Sequence, residues 1–264
     1  MLSKIKTTCI WLSISCQEAI CGTTLVSTAN SPRSKPVSKI RCPNQAEWQM
    51  VDDQFVSVEF FVACMLLCLE YLHKNCILHR DIKPENLVFD EQGYLRVTDL
   101  GIARVWNPEN SKDTSGTPGY MAPEVMCRQN HGVAVDYFAM GVIAYECMFG
   151  KRPYVGKDRK EIRDHILSKQ VQIKRDQIPR GWSTQAADFI NRLIQRKPSN
   201  RLGLNGPQDL KDHEWFRNYD WDELYQKKKR APFVPPPSED NFDAKYTNSE
   251  WKDANSDQMI KSIA

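Results

Sequence analysis

The sequence predicts a mainly α domain that carries one small β-hairpin, and three stretches of it say so. Between Asp53 and Asn75 the apolar residues Phe61, Met65, Cys68/Leu69 and Leu72 recur at intervals of three and four, the period of one helix face. From Asp136 to Phe149 nearly every position is apolar, which marks a helix buried on all sides. Leu87-Val88-Phe89, Asp90-Glu91-Gln92-Gly93 and Tyr94-Leu95-Arg96-Val97 read as strand, turn and strand.

The first helix contains the longest apolar run, Phe60 to Leu69. That run is about half of the roughly 20 residues a membrane span needs, so it reads as a core helix. After the hairpin, a polar loop covers residues 105–117. A further amphipathic helix starts after Ser183, with Ala186, Ile190, Leu193 and Ile194 on one face and Pro198 as its stop. Beyond Trp215 the chain reads as loop, with Pro235-Pro236-Pro237 as a stiff spacer.

Composition narrows the function classes. A net charge of +3 is too small to imply nucleic acid, whose binders concentrate many cations on one face. The dense run Lys227-Lys228-Lys229-Arg230 reads as a solvated tail. Nine cysteines are scattered with no C-x-x-C pair, the pattern of a reduced, cytoplasmic protein. Residues 1–50 are rich in Ser, Thr and Pro, without sustained period, and read as unassigned, disordered chain. Their six basic residues against one acid within 1–46 leave an N-terminal targeting segment as the alternative.

The chemistry concentrates in His79-Arg80-Asp81-Ile82-Lys83-Pro84-Glu85-Asn86, Asp99-Leu100-Gly101 and Ala122-Pro123-Glu124. Asn86 opens the hairpin and Asp99 closes it, so an antiparallel turn brings the two ends together. Asp81 sits on the loop leading into the same corner. Phosphoryl transfer needs a carboxylate to orient or deprotonate the attacking hydroxyl, and a hard cation, such as Mg2+ held by oxygens, to neutralise the phosphates.

These residues resemble the catalytic-loop, magnesium and activation-segment motifs of the eukaryotic serine/threonine protein kinases. The resemblance runs from about Asp53 to Thr247. It implies the α+β family fold, of which 51–217 would be the C-terminal lobe. ATP and Mg2+ would be the cofactors and Ser/Thr protein substrates the partners, with no nucleic acid. It implies Asp81 as catalytic base, Lys83 as a neutraliser of the transferring phosphate, and Thr117 as a contact of both. Asn86 and Asp99 would be magnesium ligands, with Val88 and Asp99 on the nucleotide side.

The same resemblance implies structural roles for His79, Arg80, Asp136 and the Glu124–Arg201 ion pair. A finer likeness is to the AGC group, the cyclic-nucleotide- and phospholipid-dependent kinases. It rests on Arg201-Leu202-Gly203, His213-Glu214-Trp215-Phe216, Asp220-Trp221, Pro232-Phe233-Val234-Pro235 and Asn241-Phe242-Asp243. It implies an AGC-like tail over 218–264, and arginine recognition by Glu85 and Glu146. The regulatory threonine position of that group falls on Asp113, beside Thr114, with Arg80 and Arg104 as its cationic pocket.

Two features depart from the family. Leu100 stands where phenylalanine follows the magnesium aspartate. More severely, no G-x-G-x-x-G precedes Asp81, and Gly22 is the only glycine before it. The family's strand lysine lies roughly 90 residues before the catalytic aspartate. The expectation is therefore a kinase C-lobe without its N-terminal β-lobe, truncated and weak or inactive alone. The alternative is a non-catalytic kinase-like binding module.

Overall fold

A computed structural model describes residues 54–234, with side chains from Val58 onward. The readings made for residues 1–50, for Pro235-Pro236-Pro237 and for Asn241-Phe242-Asp243 lie outside these.

Helix α1 spans Gln54–Lys74, then β1 (Ile77–Leu78), β2 (Leu87–Phe89), β3 (Leu95–Val97) and β4 (Arg104–Val105). Six helices follow: α2 (Pro123–Met126), α3 (Ala134–Phe149), α4 (Arg159–Ser168), α5 (Thr184–Leu193), α6 (Pro207–Lys211) and α7 (Trp221–Tyr225). The architecture is mostly helical, with two small antiparallel sheets among the described residues.

The expected hairpin is β2–β3, with Leu87 opposite Val97 and Phe89 opposite Leu95. Its turn is closed by Asp90, whose buried carboxylate accepts from the Gln92 and Tyr94 amides and pairs with Arg96 and Lys227. Gly93, at φ +85°, has no room for a side chain, since a Cβ there would meet the Phe233 carbonyl oxygen at 2.0 Å. The C-terminal strap that crosses this turn also lays Phe233 against Phe89, with ring centroids 5.3 Å apart.

Helix α3 lies at the centre, packed between α1 and α5. Both Phe138 and Met140 are essentially inaccessible, as the unbroken apolar pattern of this segment requires. Helix α1 is buried more completely than one face, because Phe60 to Leu66 are all covered, with Phe61 against Phe89 and Phe60 against Tyr94. Ser183 caps α5 by accepting from Ala186 N at 3.0 Å, which fixes the start the sequence places there. The end comes earlier than Pro198, at Leu193, and Pro198 instead opens a short 3-10 turn.

Two expectations are corrected. The sequence shows one hairpin, but a second sheet joins β1 to β4, pairing Ile77 with Val105 and Leu78 with Arg104. Strands of two residues carry no alternation for a sequence to display. The loop read beyond Trp215 contains α7, whose cap Asp220 accepts from Glu223 N at 2.8 Å and whose Leu224 is buried. Asp220, with acids in the following turn, is a helix-start signal that precedes too short an apolar pattern to stand out.

Candidate active site

The chain leaves β1 through His79, Arg80 and Asp81, and Arg80 takes the left-handed conformation at φ 68°. A 3-10 turn, Pro84–Asn86, then redirects it into β2, with Pro84 supplying the preset φ of a first helical position. Thr98 closes the far side by donating from N and Oγ1 to the Asn86 carbonyl at 2.8 and 3.1 Å. The residue before Asp99 is thereby fixed to Asn86 itself.

Within this corner, Asp81 Oδ1 accepts from Thr117 N at 3.1 Å and Thr117 Oγ1 at 2.7 Å. Asp81 Oδ2 pairs with Lys83 Nζ at 2.8 Å and accepts from Asn86 Nδ2 at 3.1 Å. Lys83 Nζ in turn donates to Thr117 Oγ1 at 3.1 Å. Asp81, Lys83, Asn86 and Thr117 thus form one hydrogen-bonded cluster. Burial pushes the Asp81 carboxyl up, but the bonds from Lys83, Thr117 and Asn86 outweigh it and hold the group below the usual carboxylate range.

The Asn86 side chain spends Nδ2 on the Asp81 carbonyl and carboxylate, and its amide oxygen accepts no hydrogen bond among the described residues. Asp99 is exposed, at φ 63°, and one of its oxygens accepts from Gly101 N at 3.0 Å. An amide oxygen and a carboxylate beside the loop are the hard donors that Mg2+ prefers, so the residues fit that ion. Val88 is buried on β2, opposite Arg96.

Asp136 underlies the loop from α3. Its Oδ1 accepts from Arg80 N at 2.8 Å, and its Oδ2 accepts from His79 N at 3.0 Å and pairs with His73 Nε2 at 2.8 Å. The sequence reading missed His73, whose Nδ1 also meets the Tyr137 hydroxyl at 3.1 Å. The available signal was position, since His73 follows Leu69 by four residues on the stripe α1 buries. His79 is fully buried and bonds the Thr98 carbonyl through Nε2 at 3.1 Å, as a packed core histidine.

Further along, Arg201 makes a two-pronged pair with Glu124, at 2.6 and 3.0 Å. Arg80 Nη1 is buried without a hydrogen bond and faces Asp113 Oδ2 at 3.5 Å. Arg104, expected to join it at Asp113, is exposed and makes no ion pair among the described residues. The Thr114 carbonyl accepts from Arg159 Nη2 at 3.1 Å. Glu85 is exposed, and Glu146 accepts from the Tyr120 hydroxyl at 2.7 Å.

The buried imidazole gives the fold a pH dependence. Burial pushes His79 below its ordinary value, against the opposing charge of Asp136, the hydrogen bond to the Thr98 carbonyl and smaller contributions from Asp81 and Asp99. Burial shifts His213 the same way, with Asp188 opposing. As pH falls through about 6.5 the unfolded chain takes up protons that these folded imidazoles refuse, so stability falls. The slope is at most about 1.4 kcal/mol per pH unit for each histidine. Melting temperatures measured from pH 8 to pH 5 are expected to decline, and His79→Gln is expected to flatten the decline; an unchanged slope in that variant excludes His79 as its source.

Residues 45–216 match the family model described as protein kinase domain, well over half of the chain. The chain is 35% identical over 220 residues to ribosomal protein S6 kinase alpha-6 of Homo sapiens, which covers 78% of this chain and 29% of that protein. It is 37% identical over 181 residues to the cAMP-dependent protein kinase catalytic subunit of Dictyostelium discoideum, covering 68% and 27%. A cAMP-dependent protein kinase catalytic subunit-like protein of Caenorhabditis elegans is 36% identical over 194 residues, covering 71% and 47%. The chain therefore spans about a quarter to a half of the length of these relatives. Since residues 45–216 include every residue that builds this corner, the chain belongs to the protein kinase domain family, and the curated relatives it resembles are kinases of the AGC type.

Proposed function

We propose that the protein is a phosphotransferase that moves the γ-phosphate of ATP to Ser or Thr of protein substrates. The observation that carries this reading is the cluster in which one carboxylate, Asp81, is oriented at once by Lys83, Asn86 and Thr117. With its pKa held low, Asp81 stays ionised near neutral pH and can orient a substrate hydroxyl and accept its proton as the phosphoryl group departs. Lys83 offers a cation beside it for the transferring phosphate, and Thr117 fixes both groups. Asn86 and Asp99 would hold Mg2+, which when bound neutralises charge on the phosphates. Val88 would lie beneath the nucleotide, and Glu85 and Glu146 would line the peptide side. A cytoplasmic setting accords with the scattered cysteines.

We also propose that this 264-residue chain, by itself, transfers phosphate at or near background. The reason is chemical: no glycine loop precedes Asp81 to cover the phosphates, and loss of even one preorganised donor costs roughly 3 kcal/mol, about a hundredfold in rate. The same point favours a docking role as the second reading. Purified protein with labelled ATP and a panel of basic, neutral and acidic Ser/Thr peptides is expected to show no turnover above an Asp81→Ala control. Robust turnover that the substitution abolishes would refute the inactivity, and would mean that other residues supply the nucleotide cover.

For regulation, we propose that Asp113 docks permanently on Arg80, where a phosphate would bring about −1.5 to −2 charges. At 3.5 Å and half exposed, this contact is weaker than a two-pronged pair. Asp113→Ala is expected to raise hydrogen exchange across residues 105–117, with Thr114 and Ser115 unmodified. High phosphate occupancy at Thr114 or Ser115, with exchange unchanged in the variant, would assign the switch to those residues instead.

A further inference from the structure

The acidic side of the peptide cleft already contains a guanidinium. Arg152, in the turn after α3, lies with its Cζ 5.5 Å from the centre of the Tyr120 ring. Tyr120 donates its hydroxyl to Glu146 Oε2 at 2.7 Å. Gly119 makes the approach possible: a Cβ built there would meet Arg152 Nη1 at 1.7 Å and Cζ at 2.7 Å. Any other residue at 119 would displace the Arg152 head. Arg152 is half-buried and forms no ion pair within 4 Å among the described residues, so its charge is not consumed by a carboxylate.

These groups respond to one another. Burial, then the hydrogen bond and charge of Glu146, then the charge of Glu85, push the Tyr120 phenol far above its usual range, and the charge of Arg152 opposes them. Glu146, Tyr120 and Arg152 are thus one connected unit, joined by the hydroxyl bond and the ring contact. An aromatic ring whose hydroxyl is held by a carboxylate, with a guanidinium already within cation–π range, is the position an incoming arginine would seek.

Resting on the reading of this cleft as a Ser/Thr peptide site, we propose that Arg152 and Gly119 set its specificity: the chain's own guanidinium occupies the arginine position, so the cleft takes peptides with a neutral or acidic residue before the Ser or Thr. An arginine in the peptide would meet a like charge and an occupied ring face. A glutamate would meet a partner in Arg152.

The test is binding, which needs no turnover. Fluorescein-labelled peptides with one central serine, differing only in Arg, Ala or Glu at the two preceding positions, are titrated by polarisation against the full chain. Arg152→Ala and Gly119→Ala follow, with melting curves to show that both fold. Wild type is expected to bind the Ala and Glu peptides at least as tightly as the Arg peptide. Both variants are expected to favour the Arg peptide by a further factor of about ten, the equivalent of about 1.4 kcal/mol. Gly119→Ala reaches this result with the cation retained but expelled from the ring, so agreement of the two variants assigns the effect to occupancy. If peptides bind but the ranking is the same in all three proteins, or wild type prefers arginine, the inference falls and the Ser/Thr-peptide reading stands. If no peptide binds any of the three proteins, the cleft is not a peptide site and both fall.

Discussion

Arg201→Met is expected to destabilise the fold by about 3–5 kcal/mol, the cost of breaking a buried ion pair from one side. Domains of this kind carry about 5–15 kcal/mol in total. Both side chains are sealed from solvent, Arg201 at 0% and Glu124 at 2% exposure. Arg201 also donates to the Ala134 carbonyl at 2.8 Å and to the Gln195 carbonyl from Nε and Nη2 at 3.1 and 2.9 Å, and its guanidinium lies over the Phe138 ring at 4.9 Å. Methionine can fill much of the volume but supplies none of these donors. It leaves the Glu124 carboxylate and the Ala134, Gln195 and Arg196 carbonyls without these donors, and the unpaired buried charge is the largest of those penalties. The pair joins the Ala-Pro-Glu turn of α2 to the segment after α5, so the loss should appear as a lower urea midpoint for the whole unit. A second substitution, Glu124→Met on top of the first, is expected to recover a good part of the loss, because two apolar groups can replace a buried pair at small net cost. A single-variant loss below about 1 kcal/mol would mean that Glu124 finds water or another partner, contrary to its burial.

What the sequence could and could not reveal follows from separation along the chain. The contact of Asp81 with Asn86 spans five residues, and the approach of Thr98 to Asn86 is enforced by a hairpin with a five-residue connection, so local pattern suffices for both. The Glu124–Arg201 pair spans 77 residues, and no periodicity connects its members; only the family likeness pointed to it. His73 escaped notice because its partners, Asp136 and Tyr137, lie on another helix, more than sixty residues on. Tyr120 and Arg152 escaped for a related reason. Neither belongs to a motif, and their meeting depends on the missing side chain of Gly119, which a sequence shows only as a turn-former. The β1–β4 pair and α7 were too short for period-based reading, since a strand of two residues and a helix of five never let either pattern recur.

Asp136→Asn is expected to cost about 3 kcal/mol and to release the catalytic loop more than any other part of the fold. Asp136 is 1% exposed and accepts on both oxygens, from the His79 and Arg80 amides and from His73. Burial pushes its carboxyl up, but the hydrogen bonds from His73 and the Arg80 amide hold it below the usual range. Asparagine keeps the shape but turns one acceptor into a donor, so at least one N–H must face another N–H. The consequence is concentrated at Arg80, because a left-handed conformation costs a non-glycine residue roughly 1–2 kcal/mol and persists only where its surroundings enforce it. Once its amide is released, Arg80 is expected to relax toward negative φ, carrying Asp81 away from Thr117 and Lys83. Hydrogen exchange over residues 78–86 should then rise by about a hundredfold, the factor that roughly 3 kcal/mol represents, while α5 changes less. The acid limb gives an independent check. A carboxyl held low when folded contributes stability that is present above its unfolded pKa and lost as pH falls through the folded value. The substituted amide cannot titrate, so the gap in stability between wild type and variant should narrow as pH drops below about 4. Equal loop exchange in the two proteins at neutral pH would show that the Arg80 turn is held by its other bond, from the guanidinium to the Ile102 carbonyl at 2.9 Å, and that Asp136 is not its anchor.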